Sequence, residues 1–290
     1  MKTTSLYIAL LATILGLTSC DVINPEEQVP AYLDIQPFTL TTSAGSQGST
    51  SEKITEVWVF ADGAFLGAYS LPATVPVLSV GPTEIELQAG IKDNGISSTP
   101  EPYPFYEPYI INLNLEANKI EQIQPTTRYT SDTKFAFIED FEDLRPRIFT
   151  ENVFGETDIV RTQSEVFEGS YSGQFSLERE NRPLVEITSA TEFNGLQDGG
   201  VFVYLEVNYK SDAPVAWGIA GVRSTATGQE QFYDPGFTSS EEWNKIYFNL
   251  SRIIFDSQIE DYKIAFQAFL TESSPDSSNV YLDNIKLVHF

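Results

Sequence analysis

Short alternating runs of apolar and polar residues fill the chain after its first twenty residues. Residues 56–60 (EVWVF) alternate, Asp62 and Gly63 supply turn residues, and residues 64–71 return with Phe65, Leu66 and Tyr69. A run, a turn and a return of this kind are typical of a β-hairpin. Similar runs bounded by Gly, Pro, Asn and Asp recur to the C-terminus, and runs of helical period are rare, so the pattern predicts an all-β protein.

The alternating runs fall into two groups, and the chain is long enough for two domains that each bury a core. A small β-sandwich domain is predicted over residues 31–130. A second β-sandwich domain is predicted over residues 131–290, where seven or more short strand-like runs are separated by turn signals.

One segment of the first predicted domain is unusually rich in rings. Residues 100–109 (PEPYPFYEPY) contain four prolines and four aromatic residues. Rigid rings of this kind suit a platform for a ligand or partner, because they lose little entropy on binding. They also suit an aromatic plug at the end of a small sandwich, and the sequence favours the plug.

Charge restricts the partners. The chain has 41 acidic and 17 basic residues and a formal net charge of −24. Such a field repels nucleic acid and anionic lipid headgroups, and it suits solubility, cationic partners or metal ions. No nucleic acid partner is therefore expected. Cys20 is the single cysteine, so no intramolecular disulfide is possible.

The first twenty residues predict a cellular location. Lys2 gives a basic start and residues 6–17 are mostly apolar, which is the layout of a cleaved export signal over residues 1–19. The ending Leu17-Thr18-Ser19-Cys20 resembles a bacterial lipobox. This resemblance implies acyl chains, palmitate among them, on Cys20, followed by an acidic tether over residues 20–30. It leaves two addresses open, because acidic residues behind the lipidated Cys resemble a cell-surface signal and Asp21 resembles an inner-membrane retention signal. The expected location is the outer membrane, facing the cell exterior.

The order of motifs in the second predicted domain resembles a known fold. The opening run at residues 135–142, "EGSYSGQFSL", "EWNKIYFNL" and the closing "VYLDNIKL" are similar to the galactose-binding-domain-like jelly roll of many carbohydrate-binding modules. The likeness spans about half of the chain and specifies a fold better than a ligand.

This resemblance implies two kinds of site. Domains of this type often hold a structural calcium ion between the first and last strands, which implies Asp140, Glu142 and Asp283 as ligands; the alternative is that these acids face water. They also bind sugars through exposed rings. The implied stacking rings are listed here: Trp217, Phe232 and Tyr233.

Catalysis has little support from the residue types. The one histidine, His289, lies next to the last residue, and one histidine with one cysteine is too few for a His/Cys zinc site. No cofactor is expected to be required, and structural calcium is possible. A glycosidase that uses two carboxylates is a minor alternative.

Two hypotheses follow from the anchor and the fold. The first is a non-catalytic envelope lipoprotein that serves as a binding or scaffold subunit of an outer-membrane protein complex. The alternative is a surface lipoprotein that binds glycans through the C-terminal jelly roll. In both, the lipid anchor makes the membrane one partner.

Overall fold

The computed structural model describes residues 28–43, 45–143, 147–223 and 228–290. The predicted signal, Cys20 and most of the predicted tether lie outside the described residues. None of the helices in these four ranges is long and apolar enough to cross a membrane.

The described residues up to position 130 form ten strands. Their bounds are β1 (Ala31–Ile35), β2 (Thr39–Thr41), β3 (Glu56–Ala61), β4 (Ala64–Ser70), β5 (Ala73–Val77), β6 (Gly81–Lys92), β7 (Pro100–Pro102), β8 (Tyr109–Leu115), β9 (Ile120–Ile123) and β10 (Thr126–Arg128).

These strands make three sheets that we call the N-terminal unit. Their orders are β5-β1-β9, β10-β2 and β4-β3-β6-β7, with β8 also paired to β6. The predicted hairpin is confirmed as β3 and β4, and Asp62 and Gly63 both have positive φ angles of 48° and 77°, as a tight hairpin turn of mirror-image type requires. The buried faces of the sheets share one hydrophobic cluster.

The described residues from 134 onwards form eleven strands and one helix. Their bounds are β11 (Lys134–Glu139), β12 (Phe149–Phe154), β13 (Val160–Thr162), β14 (Ser172–Glu178), β15 (Leu184–Ser189), β16 (Val203–Ser211), β17 (Val215–Val222), β18 (Gln229–Phe237), β19 (Ser240–Asn249), α1 (Ser251–Ser257), β20 (Tyr262–Phe269) and β21 (Ser277–His289).

These strands form two antiparallel sheets that pack face to face around a second hydrophobic cluster. One sheet has the order β13-β14-β21-β16-β19, with β11 also paired to β21, and we call it the junction sheet. The other has the order β12-β15-β20-β17-β18, and we call it the far sheet. The prediction of an all-β protein with a jelly-roll-like C-terminal sandwich is confirmed.

The N-terminal unit packs on the outer surface of the junction sheet. Tyr204, Tyr247 and Val288 of the junction sheet belong to the hydrophobic cluster of the N-terminal unit. The molecule is therefore layered in the order N-terminal unit, junction sheet, far sheet. The proposed boundary near residue 130 stays a prediction.

The aromatic segment at residues 100–109 lies at this junction. Tyr103 and Phe105 are buried, and their rings lie 5.3 Å and 6.0 Å from the ring of Tyr204. Tyr103 also lies 4.9 Å from Tyr247, and Phe105 lies 4.6 Å from Phe290. The segment is thus a plug between the two parts of the chain, and these rings are not free to form a ligand platform.

A fully buried ion pair stands at the centre of the junction. Glu206 on β16 accepts a hydrogen bond from Lys245 Nζ at 2.7 Å, and its other oxygen accepts from the hydroxyls of Tyr103 and Tyr129 at 2.9 Å and 2.8 Å. Lys286 Nζ donates to Tyr129 Oη at 3.2 Å. Every charged group in this network has a partner, which is the condition under which buried charge is tolerated.

The pKa values in the network follow from burial and from these partners. Burial alone would raise the pKa of the Glu206 carboxyl, but the ammonium groups of Lys245 and Lys286 and the hydrogen bonds hold it below its ordinary value. Burial lowers the pKa of Lys286 to about 8, and the attraction of Glu206 opposes this shift. Glu206 is therefore ionised at neutral pH.

Candidate functional site

The three predicted stacking rings do not share a surface. Trp217 on β17 is 0% exposed and packs in the core against Phe149 and Phe266. The prediction that Trp217 stacks on a sugar is therefore wrong, because its ring has no face open to solvent. Phe232 and Tyr233 are both half-buried, but successive residues of a strand point to opposite faces.

Phe232 points towards the core and Tyr233 towards the outer surface of the far sheet. Phe232 packs against the hydrophobic cluster of the sandwich. Tyr233 lies beside Gly218, which lies beside Ala265, which lies beside Thr188. The two strands between β18 and β15 thus place the small residues Gly218 and Ala265 between Tyr233 and Thr188. This leaves room for the tyrosine ring above the sheet.

Gly218 is required by the close approach of β17 and β18. A Cβ atom at this position would lie 1.7 Å from the carbonyl oxygen of Phe232. The register of the two strands shifts between Ala216 and Gly218, as at a β-bulge. The bulge therefore depends on glycine, and it sets the position at which the Tyr233 side chain leaves β18.

Three oxygens on this outer surface are buried and make no hydrogen bond of good geometry to the described residues: Glu186 Oε1, Thr188 Oγ1 and Tyr233 Oη. The Tyr233 hydroxyl and the Glu186 carboxyl nevertheless lie close enough to interact with each other. Burial raises the pKa of the Tyr233 hydroxyl, and a hydrogen-bonding contact with the Glu186 carboxyl and the charge of that carboxyl add to the shift. Glu186 is only 8% exposed. An unpaired buried polar group costs about 1–3 kcal/mol, so three such groups on one surface call for a physical reason.

An exposed ring stands at the opposite edge of the same surface. Phe154 on β12 pairs with Glu186 on β15, so both side chains project to the same side of the far sheet. Phe154 is 54% exposed. β12 and β18 are the two edge strands of a five-stranded sheet, so four strand spacings lie between them. The backbones at Phe154 and Tyr233 are therefore about 19 Å apart across the sheet.

A cleft of about 340 Å³ continues this outer surface at one end. Its lining includes Ala220 and Lys263, which project outwards from β17 and β20, together with Glu192, Glu260 and Asp261. Lys263 Nζ is paired with the carboxylate of Glu151 on β12. The surface therefore offers many oxygen acceptors, and the one lysine among these residues is already neutralised.

The residues predicted to bind calcium are only partly brought together. Asp140 and Glu142 line a cleft of about 310 Å³ with Glu168 and Asn284. Glu142 Oε1 already accepts from the backbone amides of Ser170 and Tyr171, both at 2.8 Å.

Asp283 is 1% exposed, and its two oxygens accept from the backbone amides of Glu168 and Asn284 at 3.2 Å and 2.8 Å. Burial raises the pKa of Asp283 to about 7, and the charge of Glu142 adds to this shift. Within the described ranges, no group of three or more His, Cys, Asp or Glu side chains is arranged to hold a metal ion. Asp140, Glu142 and Asp283 therefore do not surround one position in this arrangement, and the calcium site stays an untested prediction from the sequence.

Comparison with known proteins gives a weak likeness in structure and none in sequence. No protein-family model and no curated protein matches the chain. The C-terminal family 22 carbohydrate-binding module of Clostridium thermocellum Xyn10B is 12% identical with a TM-score of 0.38, covering 53% of this chain and 94% of the module. The CBM22-2 xylan-binding domain of Paenibacillus barcinonensis Xyn10C has the same identity and score and is covered over 99% of its length.

A mutant of the family 29 module CBM29-2, complexed with cellulohexaose, is 16% identical with a TM-score of 0.34, covering 55% of this chain and 92% of the module. Identities and scores this low carry no argument about ligand or function. The site is therefore argued from its own geometry.

Sequence reasoning missed most of the outer surface. Glu186 and Thr188 alternate with Val185 and Ile187 in the run at residues 184–189, and this strand carries the signal of one apolar and one polar face. Phe154 ends the run FTENVF at residues 149–154, which has no regular alternation, and a single exposed ring on an edge strand has no distinguishing pattern. The register that brings these side chains together is visible only in the fold.

Proposed function

We propose that this chain is a non-catalytic glycan-binding protein, and that the outer surface of the far sheet is its binding surface. The observation that carries the proposal is the set of three buried oxygens on Glu186, Thr188 and Tyr233 that lack a hydrogen bond of good geometry within the described residues, with the exposed ring of Phe154 at the other edge. Sugar hydroxyls both donate and accept hydrogen bonds, so they would pair these oxygens. The rings would cover the apolar faces of pyranosides.

Binding on this surface requires a local movement. The hydroxyl of Tyr233 and Oε1 of Glu186 are buried, so a ligand hydroxyl reaches them after the tyrosine side chain turns outwards. Changes of side-chain rotamer are common when partners bind. This turn would move the ring off Gly218 and Ala265 and its hydroxyl away from the Glu186 carboxyl.

The proposal keeps the anchor and the outer-membrane address that the first twenty residues predict. Replacement of the lipidated cysteine, Cys20→Ala, should move the protein from the membrane fraction to the soluble fraction. If the variant stays in the membrane fraction, the anchor is wrong. The scaffold role stays a prediction from the sequence, since no feature of the described residues favours it over glycan binding.

Affinity electrophoresis tests the binding surface. The detergent-solubilised full chain is run through native gels that each contain one soluble polysaccharide: a xylan, a glucomannan or a mixed-linkage glucan. Phe154→Ala and Tyr233→Ala should each weaken retardation about tenfold or more, because a buried aromatic side chain contributes about 1.5–3 kcal/mol.

The matched control is Phe65→Ala. Phe65 is 56% exposed, like Phe154, but it lies on β4 of the N-terminal unit. Retardation of the wild type on none of the polysaccharides, or equal retardation of all three variants, would refute the proposal. Release of sugar from the gel polysaccharide would refute its non-catalytic part. Trp217→Ala is unsuitable as a probe of binding, because a core tryptophan replaced by alanine costs about 3–5 kcal/mol.

A further inference from the structure

The outer surface of the far sheet carries an unbalanced negative charge. The register of its strands turns three ionisable side chains of the described residues to this surface: Glu151, Glu186 and Lys263. Lys263 Nζ is paired with the carboxylate of Glu151, so these two charges cancel. Within the described residues, Glu186 has no ion-pair partner. The charge that is left on this surface is therefore that of one carboxylate.

Glu186 lies inside this surface and not at its edge. Its neighbours on the two adjacent strands are Phe154 and Gln267. The residue is 8% exposed, and its Oε1 atom is buried without a hydrogen bond of good geometry. A carboxylate accepts hydrogen bonds and donates none. A ligand group that reaches Glu186 therefore meets an acceptor with a negative charge.

Sugar hydroxyls and sugar carboxylates differ at this position. A hydroxyl can donate to Oε1 of Glu186, whereas the carboxylate of a uronic acid has acceptors alone and a charge of the same sign. Like charges in contact repel more strongly where water is partly excluded, because the effective dielectric constant is lower there. Lys263 does not offset this repulsion, since Glu151 already pairs with it. An acidic sugar thus loses a hydrogen bond and gains a repulsion at the same place.

We propose that the outer surface of the far sheet selects glycans by charge: it binds uncharged glycans and rejects glycans that carry carboxylate groups, and Glu186 sets this selection. The inference rests on the proposed function, because it concerns the ligand of the same surface. The formal net charge of −24 on the whole chain also repels acidic glycans. That repulsion is screened over about 8 Å at physiological ionic strength, whereas partly buried charges are screened much less.

Isothermal titration calorimetry at physiological ionic strength tests the selection. The detergent-solubilised full chain is titrated with uncharged and carboxylated forms of the same three polysaccharides. Glucomannan and mixed-linkage glucan are compared before and after oxidation of their primary hydroxyl groups to carboxylates, which changes the charge and hardly changes the size. Xylan is compared with and without uronic acid branches. A polysaccharide that binds should bind at least about tenfold more tightly in its uncharged form.

The outcomes separate this inference from the proposed function. A preference of less than about threefold, or a preference for the carboxylated form, would overturn the inference and leave the proposed function standing. Binding of none of the polysaccharides in either form would refute both.

Two matched substitutions show whether Glu186 sets the preference. Glu186→Gln keeps the shape of the side chain and removes its charge, and it should reduce the preference to about twofold or less. Glu116→Gln removes the same charge from the exposed turn between β8 and β9 of the N-terminal unit and should keep the full preference. Equal preferences in the two variants would show that the net charge of the chain makes the selection, and the inference would be wrong. The thermal unfolding midpoint shows whether each variant is folded.

Lys263→Gln gives a second measurement that leaves Glu186 in place. Loss of the ammonium group frees the carboxylate of Glu151 and should raise the preference for the uncharged form about two- to threefold. A fall in the preference would mean that Lys263 contacts acidic sugars, and the proposal would be wrong.

Discussion

The two outer surfaces of the C-terminal sandwich bury polar groups in opposite ways. On the junction sheet the N-terminal unit covers Glu206, and every oxygen of that carboxylate has a donor. On the far sheet, Glu186 is buried almost as well, but one of its oxygens makes no hydrogen bond to the described residues. A paired network holds parts of a protein together. The far-sheet groups that lack a well-formed hydrogen bond are the groups to which our proposal assigns a ligand.

The comparison predicts that a Glu→Gln substitution lowers the free energy of unfolding far more on the junction sheet than on the far sheet. This is the largest effect we expect. Glu206→Gln leaves Lys245 and Lys286 buried without a counter-charge and should lower the free energy of unfolding by about 3–5 kcal/mol. Glu186→Gln should change it by less than about 1 kcal/mol, because no charged partner is lost. Urea unfolding of both variants at neutral pH measures the difference. Equal losses would break the contrast between the two surfaces.

Asp283, on β21 of the junction sheet, predicts a pH dependence. Its folded pKa of about 7 lies above the ordinary value of 3.8, so between these two values the folded protein holds a proton that the unfolded chain has released. The contribution of Asp283 to stability is therefore complete below pH 3.8 and is lost as the pH rises through about 7. The change is on the order of 4 kcal/mol.

Urea unfolding of the wild type and of Asp283→Asn across this range tests the prediction. The stability of the wild type relative to Asp283→Asn should fall with rising pH and level off above about pH 7. Asp132→Asn, at an exposed aspartate, is the matched control and should show no such trend. A constant difference between wild type and Asp283→Asn would show that Asp283 does not carry the titration.

A pair of tyrosine substitutions tests the comparison at single hydroxyls. Tyr129→Phe removes a donor to the charged Glu206 and should cost about 1.5–3 kcal/mol. Tyr233→Phe removes a buried hydroxyl that lies beside the Glu186 carboxyl without a hydrogen bond of good geometry, and it should change stability by less than about 1 kcal/mol. The same Tyr233→Phe variant should bind glycan more weakly if its hydroxyl pairs with the ligand. A loss of stability in Tyr233→Phe would mean that a water or an unseen partner already pairs this oxygen.

Calcium is expected to have the smallest effect. Because Glu142 and Asp283 already accept backbone amides, millimolar calcium should leave the thermal unfolding midpoint unchanged. A rise in the midpoint that Asp140→Asn or Glu142→Gln abolishes would establish the predicted calcium site and correct this expectation.

Local structure is well predicted by the sequence, because alternation is a property of neighbouring residues. The hairpin of β3 and β4 is readable from its run, turn and return. Alternation also places Trp217 on the same face as the apolar residues Val215 and Ile219, which predicts a core position. Trp217 is indeed buried, so alternation is a better guide here than the adjacent Gly218, which suggests an exposed ring.

The surfaces are harder to predict, since alternation says which side a residue faces and not what covers that side. Glu206 and Lys286 occupy polar positions in their strands, and they are buried only because a separate part of the chain packs on them. The outer surface of the far sheet needs the register of β12, β15, β17, β18 and β20 together. These pairings join residues far apart in sequence, and single-strand patterns do not encode them.

The layer order of the molecule has a consequence for how the chain would stand on a membrane. The described chain begins at the N-terminal unit, and the far sheet is the layer at the greatest remove from that unit. For a chain held by an acylated Cys20, the N-terminal unit would lie between the membrane and the C-terminal sandwich. The buried network at the junction would prevent it from swivelling. The outer surface of the far sheet would then face away from the membrane.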